Sequence, residues 1–358
     1  MMMSTHAAPK ASLVNYYREP TIREFAAALA RGLGASDDEA AIISDGITTA
    51  SLWWHPGQGQ GLEKFFRYHR RVKNGGIVPR ATTMWVKEGP AFALLEAAKA
   101  FGYVAAHTAM RKAIDLAGRS GVAMVGVRNS NHFGIAGYHA KTAADAGCIG
   151  LAMTNAGAEM APWGAKTAVL GTNPWGIAVP RKNAYPIVLD MALTMSGRGM
   201  IAWALKEGRQ VPDDLALTPD GRRSTDPAEL IDGTQLPIGR FKGAGLSFMT
   251  DVLTGVLMGA KFGKTVFQDE THFDVGHTLI AIDIEAFMPR DRFDERLEQL
   301  ISEVKSASPI TPGDEILLPG EAEFRRMKER QERGIPVSVE TVDRIREIAK
   351  ELRVPFPL

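Results

Sequence analysis

The chain has 358 residues, 45% hydrophobic and 23% charged, a balance typical of folded globular proteins. Lysine and arginine number 42 against 41 aspartates and glutamates, so a formal net charge of +1 offers no overall field for nucleic acid or an anionic membrane. The single cysteine, Cys148, excludes an internal disulfide framework and a cysteine-rich zinc site, and it suits a reducing, cytoplasmic setting.

The opening MMMSTHAAPKAS lacks the apolar core of a secretion signal and reads as part of a frayed tail over residues 1–14. TIREFAAALARGLGAS places Thr21 and Glu24 at capping-box spacing and Ile22, Phe25, Leu29 and Leu33 on one face, which predicts an amphipathic helix. SDDEAAIISDGITTASL repeats the device with Ser36 and Glu39. The loop HPGQGQG (55–61) follows, and LEKFFRYHRRVKNGG reads as a third helix closed by Gly75 and Gly76. Residues 15–78 are therefore expected to be helical.

From about residue 79 to 310 the pattern changes to short apolar runs alternating with helical stretches. TTMWVKEG, AFALLEA, VAMVGV, CIGLAMTNA, PIVLDMA and HTLIAIDIEAF are strand candidates. YVAAHTAMRKAIDLAGRSG, GIAGYHAKTAADAG and GAGLSFMTDVLTGVLMGAKFG read as helices between them. This alternation predicts an α/β sheet covered on both faces. Residues 207–240, rich in Gly, Pro and Asp, form an irregular excursion, and residues 311–358 return to charged helices that pack back on the N-terminal part. No stretch approaches the roughly 20 uninterrupted apolar residues of a membrane helix.

Nucleotide signatures are weak. GQGQGLEK, GRGMIA and GAGLSF each fail the Gly-x-Gly-x-x-Gly spacing, and the 55–61 loop follows a helix where the fingerprint requires a strand. GAKFGKT (259–265) is one residue short of a phosphate loop. His132, in VRNSNHFGIAG between a strand and a helix, stands in a site-like position, although a histidine there can also simply pack or cap. Asp269, Glu270, His272, Asp274 and His277 could be drawn as a metal cluster, but acidic loops leading into a strand are common, and no metal is expected. Asp190, at the polar end of PIVLDMA, emerges where open α/β sheets place ligands. The glycine- and tryptophan-rich segment 163–180 either shapes a pocket or is a structural turn.

SNHFGIAGYHA, APWGAKTAVLGTNPWGIAVP, LDMA, LPIGRFKGAGLSFMTDVLTGVL and ILLPGEAE, in this order, resemble the malate/L-lactate dehydrogenase family, which also holds ureidoglycolate, sulfolactate and diketogulonate dehydrogenases and piperideine-carboxylate reductases. The resemblance runs from about residue 15 to the C-terminus. It implies a mixed-sheet α/β fold that is not a Rossmann domain, with an N-terminal helical segment and C-terminal helices, in a homodimer that uses NAD or NADP on a small-molecule substrate. Carried over by position, it places the cofactor along Asp190, Met191 and Ala192, near Lys242 and Gly243, and against Gly320 and Glu321. Arg181 and Arg198 are either partners for a 2′-phosphate or simply solvated surface charges. His132 matches a proton-transferring histidine, with Asp190 in a position to orient an imidazole or a substrate hydroxyl.

The same resemblance answers the glycine-rich loop. GQGLEKFFRY aligns with a family segment of the form Ser-His-Gly-x-x-Arg-x-x-Arg-Tyr, so the family's acid/base histidine is Gln60 here and its carboxylate-binding arginine is Lys64. Glutamine hydrogen-bonds but does not titrate, and lysine keeps the charge without the bidentate fork. The expectation is hydride transfer on a 2-hydroxy acid/2-oxo acid pair, with His132 exchanging the proton, Gln60 bonding the reacting oxygen, and Lys64 attracting the carboxylate. Tyr68 is a substrate-binding candidate, while Arg67 and His69 stay open between pocket and helix surface. Two alternatives remain: a cyclic-imine reductase, whose substrate tolerates the missing histidine, and a nucleotide-binding relative with little catalysis.

Overall fold

The computed structural model describes residues 10–268, 271 and 273–358. The chain begins with strand β1 (Val14–Tyr17) and continues through helices α1 (Glu19–Gly32), α2 (Asp37–Trp53) and α3 (Lys64–Lys73). Next come β2 (Met84–Gly89), β3 (Phe92–Glu96), α4 (Gly102–Ser120), β4 (Val122–Ser130), α5 (Ala136–Asp145), β5 (Cys148–Thr154), β6 (Trp175–Val179) and β7 (Ile187–Met191). The excursion holds α6 (Arg198–Glu207), β8 (Ala216–Leu217), α7 (Pro227–Leu230) and β9 (Thr234–Gln235). It is followed by α8 (Phe241–Asp251), β10 (Val275–Asp283), α9 (Arg290–Lys305), α10 (Glu321–Arg333), β11 (Ile335–Ser338) and α11 (Val339–Glu351).

Local rules explain most boundaries. Ser36 and Glu39 form the expected capping box at α2, with the Glu39 amide donating to Ser36 Oγ at 3.2 Å and the Ser36 amide to Glu39 Oε2 at 2.9 Å. The Thr21/Glu24 box does not form. Helix α1 instead begins at Glu19 after Arg18, with no side-chain cap. Pro20 sits in the first turn, where its fixed φ favours the helix and its missing N–H leaves no donor unmet. Residues 14–17 depart from the helical expectation too, pairing antiparallel with 335–338 so that Val14 faces Ser338. This two-stranded sheet ties the two ends of the chain together, with α10 packed on α2 and α11 on α3.

The main sheet has seven strands in the order β2-β3-β4-β10-β5-β6-β7. Only β3 and β4 run parallel; every other neighbouring pair is antiparallel, so the sheet is mixed. Strand β10 lies centrally between β4 and β5, which accounts for its largely buried residues and the apolar run at 279–282. As a result the C-terminal ends of β4, β5 and β7 and the starts of β6 and β10 meet along one edge, and the site lies there. The short-of-consensus GAKFGKT forms a turn with a single 3-10 segment at Gly263–Thr265, preceded by π-helical Val252–Val256.

Candidate active site

A cleft of about 740 Å³ opens along that edge, walled by the loop after α2, the start of α3, the loop after β4, and the ends of β5 and β7. Gln60, Lys64, His132, Asp190, Met191 and Ala192 all line it, although they come from three separate parts of the sequence. A larger hollow of about 1210 Å³ lies between α2, α5, β7 and α10. Three of its four arginines, 23, 181 and 325, are held in ion pairs with Asp45, Glu298 and Glu315. The smaller cleft is the better candidate for chemistry, because buried titratable groups converge there.

The loop bearing His132 is built with little freedom. Asn131 is fully buried and donates to the carbonyls of Gly76 (3.0 Å), Lys99 (3.2 Å) and Ala100 (3.2 Å), while its Oδ1 accepts from Arg71 at 3.3 Å. Gly134 has φ +88°, and a Cβ there would fall 1.9 Å from the Tyr103 ring, so only glycine fits. Gly102, opening α4, comes so close that a Cβ would meet the carbonyl oxygens of Asn131 and His132 at 2.2 and 2.3 Å. Behind the loop, His277 is sandwiched between the Thr154 hydroxyl (2.7 Å from Nδ1) and the Ser130 hydroxyl (2.9 Å from Nε2), with its ring stacked on Phe133.

Burial and the nearby cations Lys64, Arg67 and Arg71 hold the His132 imidazole well below its usual range. Its Nδ1 accepts from the Gly134 amide at 3.1 Å, and its Nε2 lies 3.4 Å from Lys64 Nζ. Lys64, only 6% exposed, is brought down to about 7, first by burial and then by the Arg67 guanidinium. Lys64 is the first residue of α3, so the positive end of the helix adds to this effect.

Asp190 sits at the opposite wall. Trp54 Nε1 donates to its Oδ2 at 3.2 Å, and the amides of Gly137 and Ala136 at the start of α5 also favour the carboxylate, but burial outweighs them and lifts the group to about 7. The carboxylate thus faces Trp54 and the α5 N-terminus, and the expected orientation of an imidazole by Asp190 has no counterpart in these contacts. Trp54 and Asp190 also bound a smaller depression of about 150 Å³ that Gly320 lines, whereas Glu321 belongs to the larger hollow and is ion-paired with Lys305.

Other expected residues lie elsewhere. Tyr68 is 2% exposed, packed edge-on between Phe65 and Phe101 in the core, and it does not reach the cleft. The periodicity of α3 explains this: Arg67, one position earlier, turns into the cleft instead, and His69 pairs with Glu351. Lys242 is exposed on the first turn of α8, and Gly243 is buried against Ile238, whose side chain lines the cleft. Arg181 is bidentate to Glu298, and Arg198 donates to the carbonyls of Ile231 and Gly233. Asp269, Glu270 and His272 lie outside the described residues. Asp274 accepts from the Asn129 and Lys261 amides, His277 is fully engaged, and no metal-holding cluster occurs among the described residues. Sequence reading missed Trp54, Asn131 and Thr154, whose roles depend on partners far along the chain.

Residues 18–346 match the family model described as malate/L-lactate dehydrogenase. The chain is 35% identical over 351 residues to the malate dehydrogenase of Pyrococcus abyssi, covering 95% of this chain and 96% of that one. Its structure is similar to that of malate dehydrogenase from Entamoeba histolytica (TM-score 0.91, 28% identity, 96% and 100% coverage). It is likewise similar to sulfolactate dehydrogenase from Methanocaldococcus jannaschii (TM-score 0.88, 33% identity, 96% and 98% coverage).

Proposed function

Because this chain belongs to the malate/L-lactate dehydrogenase family of hydroxy-acid oxidoreductases, which act on CH–OH groups, we propose that it is an NAD(P)-dependent dehydrogenase/reductase of a small 2-hydroxy acid/2-oxo acid pair. The observation that carries this reading is the convergence of His132, Lys64 and Gln60 with the Asp190–Ala192 strand end on one cleft. Two buried polar atoms of the cleft wall, Gln60 Oε1 and Thr194 Oγ1, have no partner, which fits a polar ligand seated there. Met191, Ala192 and Thr194 would hold the nicotinamide end of the cofactor, with the depression at Gly320 beyond Trp54 and Asp190 taking more of it. When bound, the nicotinamide supplies or accepts a hydride at the second carbon of the substrate.

The chain's own residues divide the remaining work. Gln60 hydrogen-bonds the reacting oxygen, the His132–Lys64 pair handles the proton, and Arg67 at the mouth of the cleft attracts the substrate carboxylate with a planar, bidentate fork. The loops around His132 and Asp190 exclude water from the reacting atoms. We read the protein as cytoplasmic, supported by its lone, free Cys148. We read it as a homodimer, supported by the exposed apolar side chains Phe241, Phe248, Met249 and Leu257 on α8 and the turn after it.

The test is the loss of NADH or NADPH absorbance with a panel of 2-oxo acids, diketo sugar acids and cyclic imino acids. Turnover of a 2-oxo acid is the expected result. Preference for a cyclic imino acid would move the reading to an imine reductase, and tight cofactor binding with no turnover on any member would overturn it.

A further inference from the structure

The group that carries the proton follows from who donates to whom at His132. The Gly134 amide points at Nδ1 from 3.1 Å, so Nδ1 presents its lone pair and a neutral ring carries its single proton on Nε2. Nε2 faces Lys64 Nζ at 3.4 Å. An ammonium has three protons and no lone pair, so an ammonium and an Nε2–H in this geometry are two donors pointed at each other. The contact becomes a hydrogen bond only when Lys64 is a free amine that accepts from Nε2–H. The imidazole therefore stays neutral with a fixed tautomer, and the mobile proton resides on the lysine.

The groups around Lys64 give this arrangement its balance. Arg67 and Arg71 from its own helix and burial itself favour the amine, while Glu63 beside it and Glu159 from across the cleft favour the ammonium. Glu159 is anchored by Gln235, which donates to its Oε2 at 3.1 Å, and Asp190 is anchored by Trp54. Gln60 does not titrate. Two titratable side chains lining the cleft are poised near neutrality, Lys64 and Asp190; Asp190 is turned to Trp54 and the start of α5, whereas Lys64 is the one in contact with His132.

We propose that Lys64 Nζ is the proton donor and acceptor of the reaction, and that His132 is a positioning residue whose Nε2–H receives the lysine back as a free amine after each transfer. This rests on the reading of the cleft as an oxidoreductase site. In reduction, the carbonyl carbon gains a hydride from the reduced nicotinamide and its C–H bond forms. The carbonyl π pair moves onto the oxygen, which takes a proton from the Lys64 ammonium. The amine left behind turns to His132 Nε2–H and is reprotonated from solvent. In oxidation the amine takes the hydroxyl proton as the hydride leaves.

The deciding measurement needs no cofactor or substrate. Histidine-¹⁵N NMR of the free protein should show His132 as the neutral Nε2–H tautomer from pH 5 to 9, with a chemical-shift step centred near pH 7 that disappears in Lys64→Met. Protonation of both ring nitrogens near that pH, or survival of the step in Lys64→Met, would overturn the proposal. Kinetics give the second arm, on whichever substrate the panel identifies. Lys64→Arg keeps the charge without a titratable proton and should lose about 10²–10⁴-fold in kcat with KM within a few-fold. Full kcat in Lys64→Arg together with loss in His132→Asn would return the proton to the histidine, leaving the reductase reading intact. Absence of wild-type turnover would sink that reading, while the NMR titration would still decide the lysine.

Discussion

Trp54 and Asp190, 136 positions apart, are joined by an indole N–H donated to the carboxylate at 3.2 Å. The bond closes the end of α2 onto the edge strand β7 and forms the wall between the main cleft and the depression at Gly320. The carboxyl of Asp190 titrates at about 7 when folded, against an ordinary value near 3.8. Between those values the folded state holds the extra proton, so Asp190 makes its largest contribution to stability below about pH 4, and that contribution falls as pH rises to 7. Asp190→Asn should therefore become progressively more favourable relative to the wild type from pH 4 to 7, by at most about 4 kcal/mol. Urea denaturation at pH 5 and pH 8 checks this; an equal difference at both would remove Asp190 as the source.

Gln60 should show stability and activity pulling apart. Its amide oxygen is buried without a partner, a state that usually costs about 1–3 kcal/mol. Gln60→Met is expected to leave the melting temperature unchanged or higher while lowering kcat about a hundredfold, the scale of one lost donor to a developing oxyanion. Calorimetry and steady-state rates on the same preparation decide it, and a variant that is both destabilised and fully active would contradict the role given to Gln60.

Arg67 should act on binding. As an exposed guanidinium lining the cleft, it is placed in the proposed mechanism to meet the substrate carboxylate before and during reaction alike. Interactions equal in ground and transition states change KM and leave kcat alone. Arg67→Ala should raise KM for acids about tenfold or more, with kcat within a few-fold. A substrate amide should show no such difference between the two proteins.

The buried histidines should make the fold acid-sensitive. His277 and His139 are held neutral at about 3, chiefly by burial, and His55 at about 4. Their unfolded counterparts protonate near 6.5, so the stability they confer is full above that pH and is lost as pH falls towards 3–4. His139→Gln should flatten the stability profile between pH 6.5 and 4. An unchanged slope would assign the acid transition to other groups.

The apolar stripe of α8 should govern assembly. Phe248 and Leu257 are 58% and 60% exposed, and neither lines the cleft. The double substitution Phe248→Glu, Leu257→Glu should convert a dimer to a monomer in sedimentation velocity. A wild-type monomer at micromolar concentration, or an unaltered dimer in the variant, would remove this face as the contact.

Much of the framework was legible in the residues themselves, because its causes are local. Ser36 and Glu39 fix the start of α2, the apolar runs fix β4, β5 and β10, and the absence of Gly-x-Gly-x-x-Gly agrees with the non-Rossmann fold that the family resemblance implies. The order of SNHFGIAGYHA, LDMA and ILLPGEAE was enough to indicate the family. Where local signals competed, the tertiary structure decided: Pro20 outweighed the Thr21 cap, and pairing with 335–338 drew residues 14–17 into a strand. The chemistry of the cleft depended on it still more. On one helix, the step of about 100° between neighbours turned Arg67 to the cleft and Tyr68 to the core. Lys64 and His132 are 68 positions apart, and only the folded chain brings them to 3.4 Å in a buried setting. Protonation depends on desolvation and on neighbouring charge, neither of which exists until distant segments pack, so sequence could name the titratable groups and only the fold could set which of them holds the proton.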